Sequence, residues 1–294
     1  MSSPNPRLFV FGLGYSAQTL ARDLLAQGWR VAGTCRSAGK RAALQAQGID
    51  AFLFDRGRAL DDAGEVLAGT TYLLSSVPPD AAGDPVLDHH AADIAALPRL
   101  AWVGYLSTTG VYGNRDGEWV DESSPLSPTG ERQQRRVTAE HGWLDLYRRF
   151  GVPVHVFRLP GIYGPGRCAL DDVRAGTARR IDKPGQVFSR VHVEDISGTL
   201  EASMARPNAG ATYNVCDDLP SPAHEVIAYA CELLGVEPPP LLPFEEADLS
   251  PMARSFYTDN KRVRNDRIKR ELGVVLRHPD YKAGLKARVA AETP

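Results

Sequence analysis

The sequence predicts an α/β fold: a doubly wound parallel sheet with a small C-terminal substrate lobe. Two observations predict it. Short apolar runs alternate with helical patterns through the first half of the chain, and that alternation builds a parallel sheet with helices on both faces. A glycine-rich turn, Gly12-Leu13-Gly14-Tyr15-Ser16-Ala17, joins the first such run to the first such helix. Right-handed crossovers then leave few topologies, and the doubly wound nucleotide-binding fold leads them.

Each element has its own local reason. Arg7–Phe11 is an apolar, aromatic run and reads as a buried strand. Ser16–Gln27 carries Ala17, Leu20, Ala21, Leu24 and Leu25 on one helical stripe, and Gly28 is placed to stop it. Trp29–Thr34 is a second strand, Lys40–Gln47 a second helix closed by Gly48, and Ile49–Phe54 a third strand ending at Asp55. Thr71–Val77 is a fourth strand, broken by Pro78-Pro79. Leu87–Leu97 and Gln133–Phe150 read as helices, and Leu100–Ser107 and Val152–Leu159 as the fifth and sixth strands. The rhythm then fails in glycine- and proline-rich stretches, with helices expected at about His224–Leu234 and Val263–Leu272. The expected division is a dinucleotide-binding domain over residues 5–165, completed by about 190–218, and a lobe over 166–189 and 219–294.

Composition narrows the function. The chain has 294 residues and a formal net charge of −2, so no basic field exists to capture nucleic acid or an anionic membrane. Hydrophobic residues are 43% of the chain, enough for a core without staples. Cys35, Cys168, Cys216 and Cys231 form no CxxC pair and no zinc spacing, so they read as reduced thiols, and no metal site is expected. No apolar stretch reaches bilayer length and no targeting segment is evident, so a cytoplasmic protein is expected.

The glycine turn is GxGxxA between a strand and a helix. The first glycine permits the tight turn, the second lets the backbone approach a pyrophosphate, and alanine keeps the helix close to the sheet. The end of the second strand selects the cofactor. An NAD site places an acid there for the ribose 2′-OH; this chain has Gly33-Thr34-Cys35-Arg36-Ser37, and no acid follows until Asp50. Arg36, with Ser37 and Lys40 in support, suits a 2′-phosphate, which favours NADP over NAD.

These blocks resemble the extended short-chain dehydrogenase/reductase family, the NAD-dependent epimerase/dehydratase group. The resemblance rests on the glycine motif, Asp55, Ser107-Thr-Thr-Gly-Val-Tyr-Gly113, Arg158-Leu-Pro-Gly-Ile-Tyr-Gly-Pro-Gly166, Arg190-Val-His-Val-Glu-Asp195 and Asn260-Lys-Arg-Val263. It implies a Rossmann domain with cofactor contacts from Gly12, Gly14, Tyr15, Ser16, Arg36, Ser37, Asp55, Ser76, Arg136 and Ile162. It implies that Thr108 holds the substrate oxygen, and that Tyr163, Arg190, His192, Lys261 and Arg262 face the substrate. Members often pair through their two long helices, here about 87–97 and 133–150, so a homodimer is expected.

The chain departs from the family at its acid–base dyad. Counting back from Glu140 puts Arg132 where the tyrosine of Tyr-x-x-x-Lys belongs, and Arg136 where the lysine belongs. Arginine stays protonated at neutral pH and cannot shuttle a proton. Arg136 keeps a cation for the ribose, and Arg132 suits an anionic substrate group. Tyr112, Tyr163 and His192 are candidates to replace the missing acid; Tyr257-Thr-Asp-Asn-Lys261 matches the dyad's letters but lies far from the fifth strand. Two functions stay open: an NADP-dependent oxidoreductase or epimerase-like enzyme on a small, anionic or sugar-derived substrate, or a non-catalytic NADP-binding redox sensor.

Overall fold

A computed structural model describes residues 5–292. The chain forms two compact units. The first comprises 1–108, 130–158 and 197–213; the second comprises 109–129, 159–196 and 214–294.

The first unit is built on strands Arg7–Phe11 (β1), Arg30–Cys35 (β2), Asp50–Leu53 (β3), Tyr72–Ser75 (β4) and Trp102–Thr108 (β5). Strands Val154–Leu159 and Thr212–Asn214 complete it. The seven strands lie in the order 212–214, 154–159, β5, β4, β1, β2, β3. β1 pairs in parallel with β2 and β4, so the strand order reverses beside β1 as in a doubly wound Rossmann sheet. Gly33 sits opposite Val10, and a Cβ there would lie 2.5 Å from Val10 O. β1 has no exposed residue, because both of its faces are covered.

The helices of this unit are Tyr15–Ala26 (α1), Ala38–Gln45 (α2), Ala63–Leu67 (α3), Pro85–Ala95 (α4) and Glu131–Phe150 (α5), together with most of Val193–Ala205. Asp84 caps α4 through the N–H groups of Val86 and Leu87, with Pro85 in the first turn. α5 has Glu131 in its first turn, Arg148 and Arg149 in its last, and Gly151 in the left-handed conformation beyond it. The core between sheet and helices holds Phe9, Phe11, Tyr105, Trp143, Val154 and Val156. Expected and observed boundaries in this unit agree within a few residues.

The second unit has a satellite core of Tyr163, Leu170, Val226, Ala230, Tyr281 and Leu285. It holds helices Ala169–Arg174, Ala223–Leu234 and Tyr281–Ala290 and several two- and three-residue strands. The helix expected over Val263–Leu272 is not formed as one piece. Arg262–Val263 pairs in parallel with Trp119–Val120, and the chain turns helically only over 266–272, ending in a wide π-type turn at Ile268–Leu272. Asn265 interrupts it: its side-chain amide donates to Cys216 O and Asp218 Oδ1, holding the chain extended. No described helix is long and apolar enough to cross a membrane.

Candidate cofactor and substrate residues

The turn after β1 forms a cradle. Gly12 has φ +84°, and a Cβ on it would lie 3.0 Å from Val77 Cγ2, so backbone and space both require glycine. Gly12 N–H donates to Thr34 Oγ1 and Leu13 N–H to Thr34 O, at 2.8 Å each, tying the turn to β2. Gly14 is exposed and ordinary in backbone, and a Cβ there would meet only Gly12 O, at 4.0 Å. That open space lies at the N-terminus of α1, which no side chain caps. Helix N–H donors and the positive end of the helix dipole thus face a volume that only glycine leaves clear. Ser16 is buried in the first turn of α1, and Tyr15 is half-buried. Ser76, at the end of β4, donates its N–H to Phe11 O at 2.9 Å, which places it beside the turn.

The end of β2 supplies the rest of the first unit's cofactor candidates. Arg36 is exposed. The Ser37 hydroxyl caps α2 by accepting from Lys40 N–H at 3.3 Å. Lys40 Nζ donates to Gln18 Oε1 at 2.7 Å, linking α2 to α1. Asp55 closes a turn: its carboxylate accepts from Gly57 N–H at 3.0 Å and pairs with Arg58 at 2.8 Å.

Thr108 is the last residue of β5 and is half-buried. Beside this strand, α5 presents Arg136, whose Nη1 donates to Leu106 O at 2.8 Å and to the Tyr105 hydroxyl at 3.2 Å. The guanidinium also lies 5.9 Å over the Tyr105 ring, and among the described residues its other donors make no hydrogen bond, so the group is oriented and still has hydrogen bonds to give. One turn earlier, Arg132 is exposed and has no hydrogen-bond partner among the described residues. One turn later, Glu140 is 1% exposed and pairs with Arg158, itself 5% exposed, at 2.7 Å. Ser107 Oγ donates to Glu140 Oε1 at 2.5 Å. Asp84 accepts from Trp143 Nε1 at 2.9 Å; burial pushes its carboxyl, and the Tyr105 hydroxyl, above their ordinary pKa values. The sequence marked Glu140 and Arg158 separately; only folding shows that they form one buried pair.

In the second unit Tyr112 is fully buried and its hydroxyl donates to Asn214 Oδ1 at 2.8 Å. Tyr163 is 8% exposed and its hydroxyl donates to Asp280 O at 3.2 Å; burial raises its pKa. Both hydroxyls are therefore committed within the unit. Ile162 is half-buried in strand Gly161–Tyr163, which pairs with Arg190–His192. Arg190 Nη1 donates to Phe188 O at 2.9 Å and Ser221 O at 3.0 Å. Asp217, 3% exposed, has its carboxyl pushed up to about 8 by burial, with Arg190 opposing that rise. Lys261 Nζ donates to Gly113 O at 2.8 Å and Arg262 to Gly117 O, so both cations brace the 109–129 segment; burial lowers the Lys261 pKa. His192 is 5% exposed, and burial holds its pKa down at about 4. A neutral imidazole with so low a pKa is a poor proton donor near neutrality.

The chain is 28% identical over 287 residues to Protein YeeZ of Escherichia coli (strain K12), covering 93% of this chain and 97% of that protein. A solved structure of a conserved protein of unknown function from Silicibacter pomeroyi DSS is 52% identical, with TM-score 0.90, covering 99% of this chain and 100% of that one. UDP-glucuronic acid 4-epimerase from Bacillus cereus, solved with UDP-glucuronic acid and NAD, shares the fold at 15% identity and TM-score 0.76, covering 97% of this chain and 98% of that one. No protein-family model matches the sequence.

Proposed function

We propose that this chain, which belongs to one family with the Silicibacter pomeroyi protein, is an NADP-dependent oxidoreductase or epimerase/dehydratase-like enzyme. Its substrate is a small anionic or sugar-derived molecule, and it works without a tyrosine at the family's acid–base position. The observation that carries the reading is the cradle: Gly12 forced to φ +84°, clear space at Gly14, and an uncapped α1 behind it. A nicotinamide dinucleotide fits there, its pyrophosphate against the α1 N-terminus. Once bound, the nicotinamide supplies hydride transfer.

The chain's own residues do the rest. Arg36, exposed and in no ion pair among the described residues, binds the 2′-phosphate. Arg136, anchored by Leu106 O and Tyr105, turns its remaining donors to the ribose. Thr108 holds the substrate oxygen, and Arg132 offers an unengaged cation to an anionic group. The sensor reading keeps one specific support: the Tyr112 and Tyr163 hydroxyls are both committed internally. Turnover of bound NADPH with a carbonyl substrate separates the two readings.

Cofactor choice is tested by calorimetric titration. NADPH binds at least roughly tenfold tighter than NADH, from one charged contact of about 1.5–3 kcal/mol. Arg36→Ala removes most of that difference and leaves NADH affinity nearly unchanged. Equal affinities in the unaltered protein overturn the assignment of Arg36.

We also propose that a second copy of the chain covers the outer face of α4 and α5. A groove of about 1030 Å³ runs there, lined by Ala91, Ala92, Ala95, Gly142, Leu146 and Phe150. Phe150 is 56% exposed, and small residues let helices approach closely. Light scattering gives a dimer for the unaltered chain and a monomer for the Ala92→Glu/Phe150→Glu double variant. A monomer in both removes the proposal.

A further inference from the structure

Three side chains of the second unit converge, two of them neighbours in sequence and the third more than eighty residues away. His192 ends strand Arg190–His192, Glu194 stands two residues on at the start of helix Val193–Ala205, and His278 comes from the C-terminal segment. One donor atom of each lies within 4.8 Å of the other two. His278 Nε2 is 3.0 Å from Glu194 Oε2, and His192 Nδ1 is 4.0 Å from the same oxygen. The imidazole centroids are 3.9 Å apart. Both histidines are buried, at 5% and 8% exposure, whereas the Glu194 side chain is 42% exposed.

We propose that His192, Glu194 and His278 form a binding site for one divalent transition-metal ion of the zinc class. Two imidazole nitrogens and one carboxylate oxygen suit such an ion and not magnesium or calcium, which take oxygen donors. The charges agree. No lysine or arginine nitrogen lies within ion-pair distance of Glu194 among the described residues; its near partners are the two imidazoles, and the more distant Arg277 cation also helps to hold its carboxylate ionised. Nitrogen and oxygen ligands about 2.1 Å from a tetrahedral ion stand roughly 3.4 Å apart. The observed spacings reach that arrangement when the flexible, partly exposed Glu194 side chain swings inward, and the same exposure gives the ion a way in. A water takes the fourth position.

The surroundings hold the ligands. Both Asp195 carboxylate oxygens accept backbone N–H groups, from Arg277 at 2.6 Å and His278 at 3.1 Å, and so fix the segment that carries His278. The Tyr163 ring packs edge-on against His192, with centroids 5.1 Å apart. His192 Nδ1 accepts a 3.3 Å bond from Glu194 N–H, which ligation replaces with a coordinate bond. Ligation through Nε2 leaves the His278 proton on Nδ1. The ion then staples the C-terminal segment to the strand at 190–192, across more than eighty residues of sequence. The site uses none of the cofactor cradle's residues.

Cobalt(II) titration of the tag-free full chain is the test. One equivalent binds, with visible d–d absorption and no thiolate charge-transfer band in the near ultraviolet. His278→Ala abolishes that spectrum. Glu194→Ala, at a partly exposed side chain that leaves the fold intact by circular dichroism, weakens binding by at least roughly tenfold. Zinc(II) displaces the cobalt and raises the melting temperature of the unaltered chain, less that of Glu194→Ala, and not that of His278→Ala. The proposal is overturned if cobalt does not saturate at one equivalent, or if the Glu194→Ala spectrum and affinity are unchanged. It is equally overturned by a thiolate band, which assigns the ion to a cysteine.

Discussion

Replacing Arg158 by methionine destabilises the protein by about 3–5 kcal/mol, measured by urea or thermal unfolding. The pair it breaks is buried on both sides: Arg158 is 5% exposed and Glu140 1%. Removing the guanidinium leaves the Glu140 carboxylate desolvated, with the Ser107 hydroxyl still donating to it at 2.5 Å. One hydrogen bond cannot replace a bidentate cation in a low-dielectric interior. Changing Glu140 to Gln in the same chain recovers much of the loss, because a neutral amide costs less to bury than an unpaired charge. A loss below about 1 kcal/mol for Arg158→Met alone would show that water reaches the pair.

Gly14→Val abolishes dinucleotide binding while leaving the fold intact. Gly14 has φ −84°, which valine adopts without strain, and a Cβ there meets nothing nearer than Gly12 O at 4.0 Å. The folded protein therefore has room for the side chain, and its unfolding midpoint stays close to that of the unaltered chain. The branched side chain instead fills the space a pyrophosphate needs. Losing two charge-assisted bonds at about 1.5–3 kcal/mol each lowers affinity roughly 10²–10⁴-fold. Gly12→Val is the contrasting variant. Its positive φ and the Val77 contact make it lose stability as well as binding. Unchanged NADPH affinity in Gly14→Val, measured by titration calorimetry, would remove the phosphate from this turn and with it the proposed function.

The two variants mark how far local sequence reaches into this site. Gly12 and Gly14 are legible because each performs its task through its own backbone: a turn, and an uncovered helix end. The same holds for the strand–helix alternation that predicts the sheet, since burial on both faces writes apolar runs directly into the chain. Arg132 and Arg136 show where such reading stops. They are adjacent turns of one helix and look alike in sequence, yet Arg136 is anchored by Leu106 O and Tyr105 whereas Arg132 is exposed. Which arginine a helix turns toward the sheet depends on how the helix packs, and periodicity alone did not separate them.

The second unit was the least legible part. Its strands are two or three residues long, too short for any period to show, and its helix at Tyr281–Ala290 has a weak apolar stripe. The helix expected over Val263–Leu272 begins only at residue 266, because Arg262–Val263 pairs as a strand and Asn265 spends its side-chain amide on Cys216 O and Asp218, tertiary contacts that override propensity. Lys261 and Arg262 read in sequence as substrate-facing cations, and only folding shows that each also donates to a backbone carbonyl. The sequence by itself determined the sheet, the glycine turn after its first strand and the arginines at positions 132 and 136, because those features are local. Only the tertiary structure decided which charges are buried in pairs, which tyrosine hydroxyls are already bonded, and that His278 meets His192 and Glu194. Each of those depends on residues distant in sequence sharing a desolvated space, and such proximity leaves no spacing in the chain to be read.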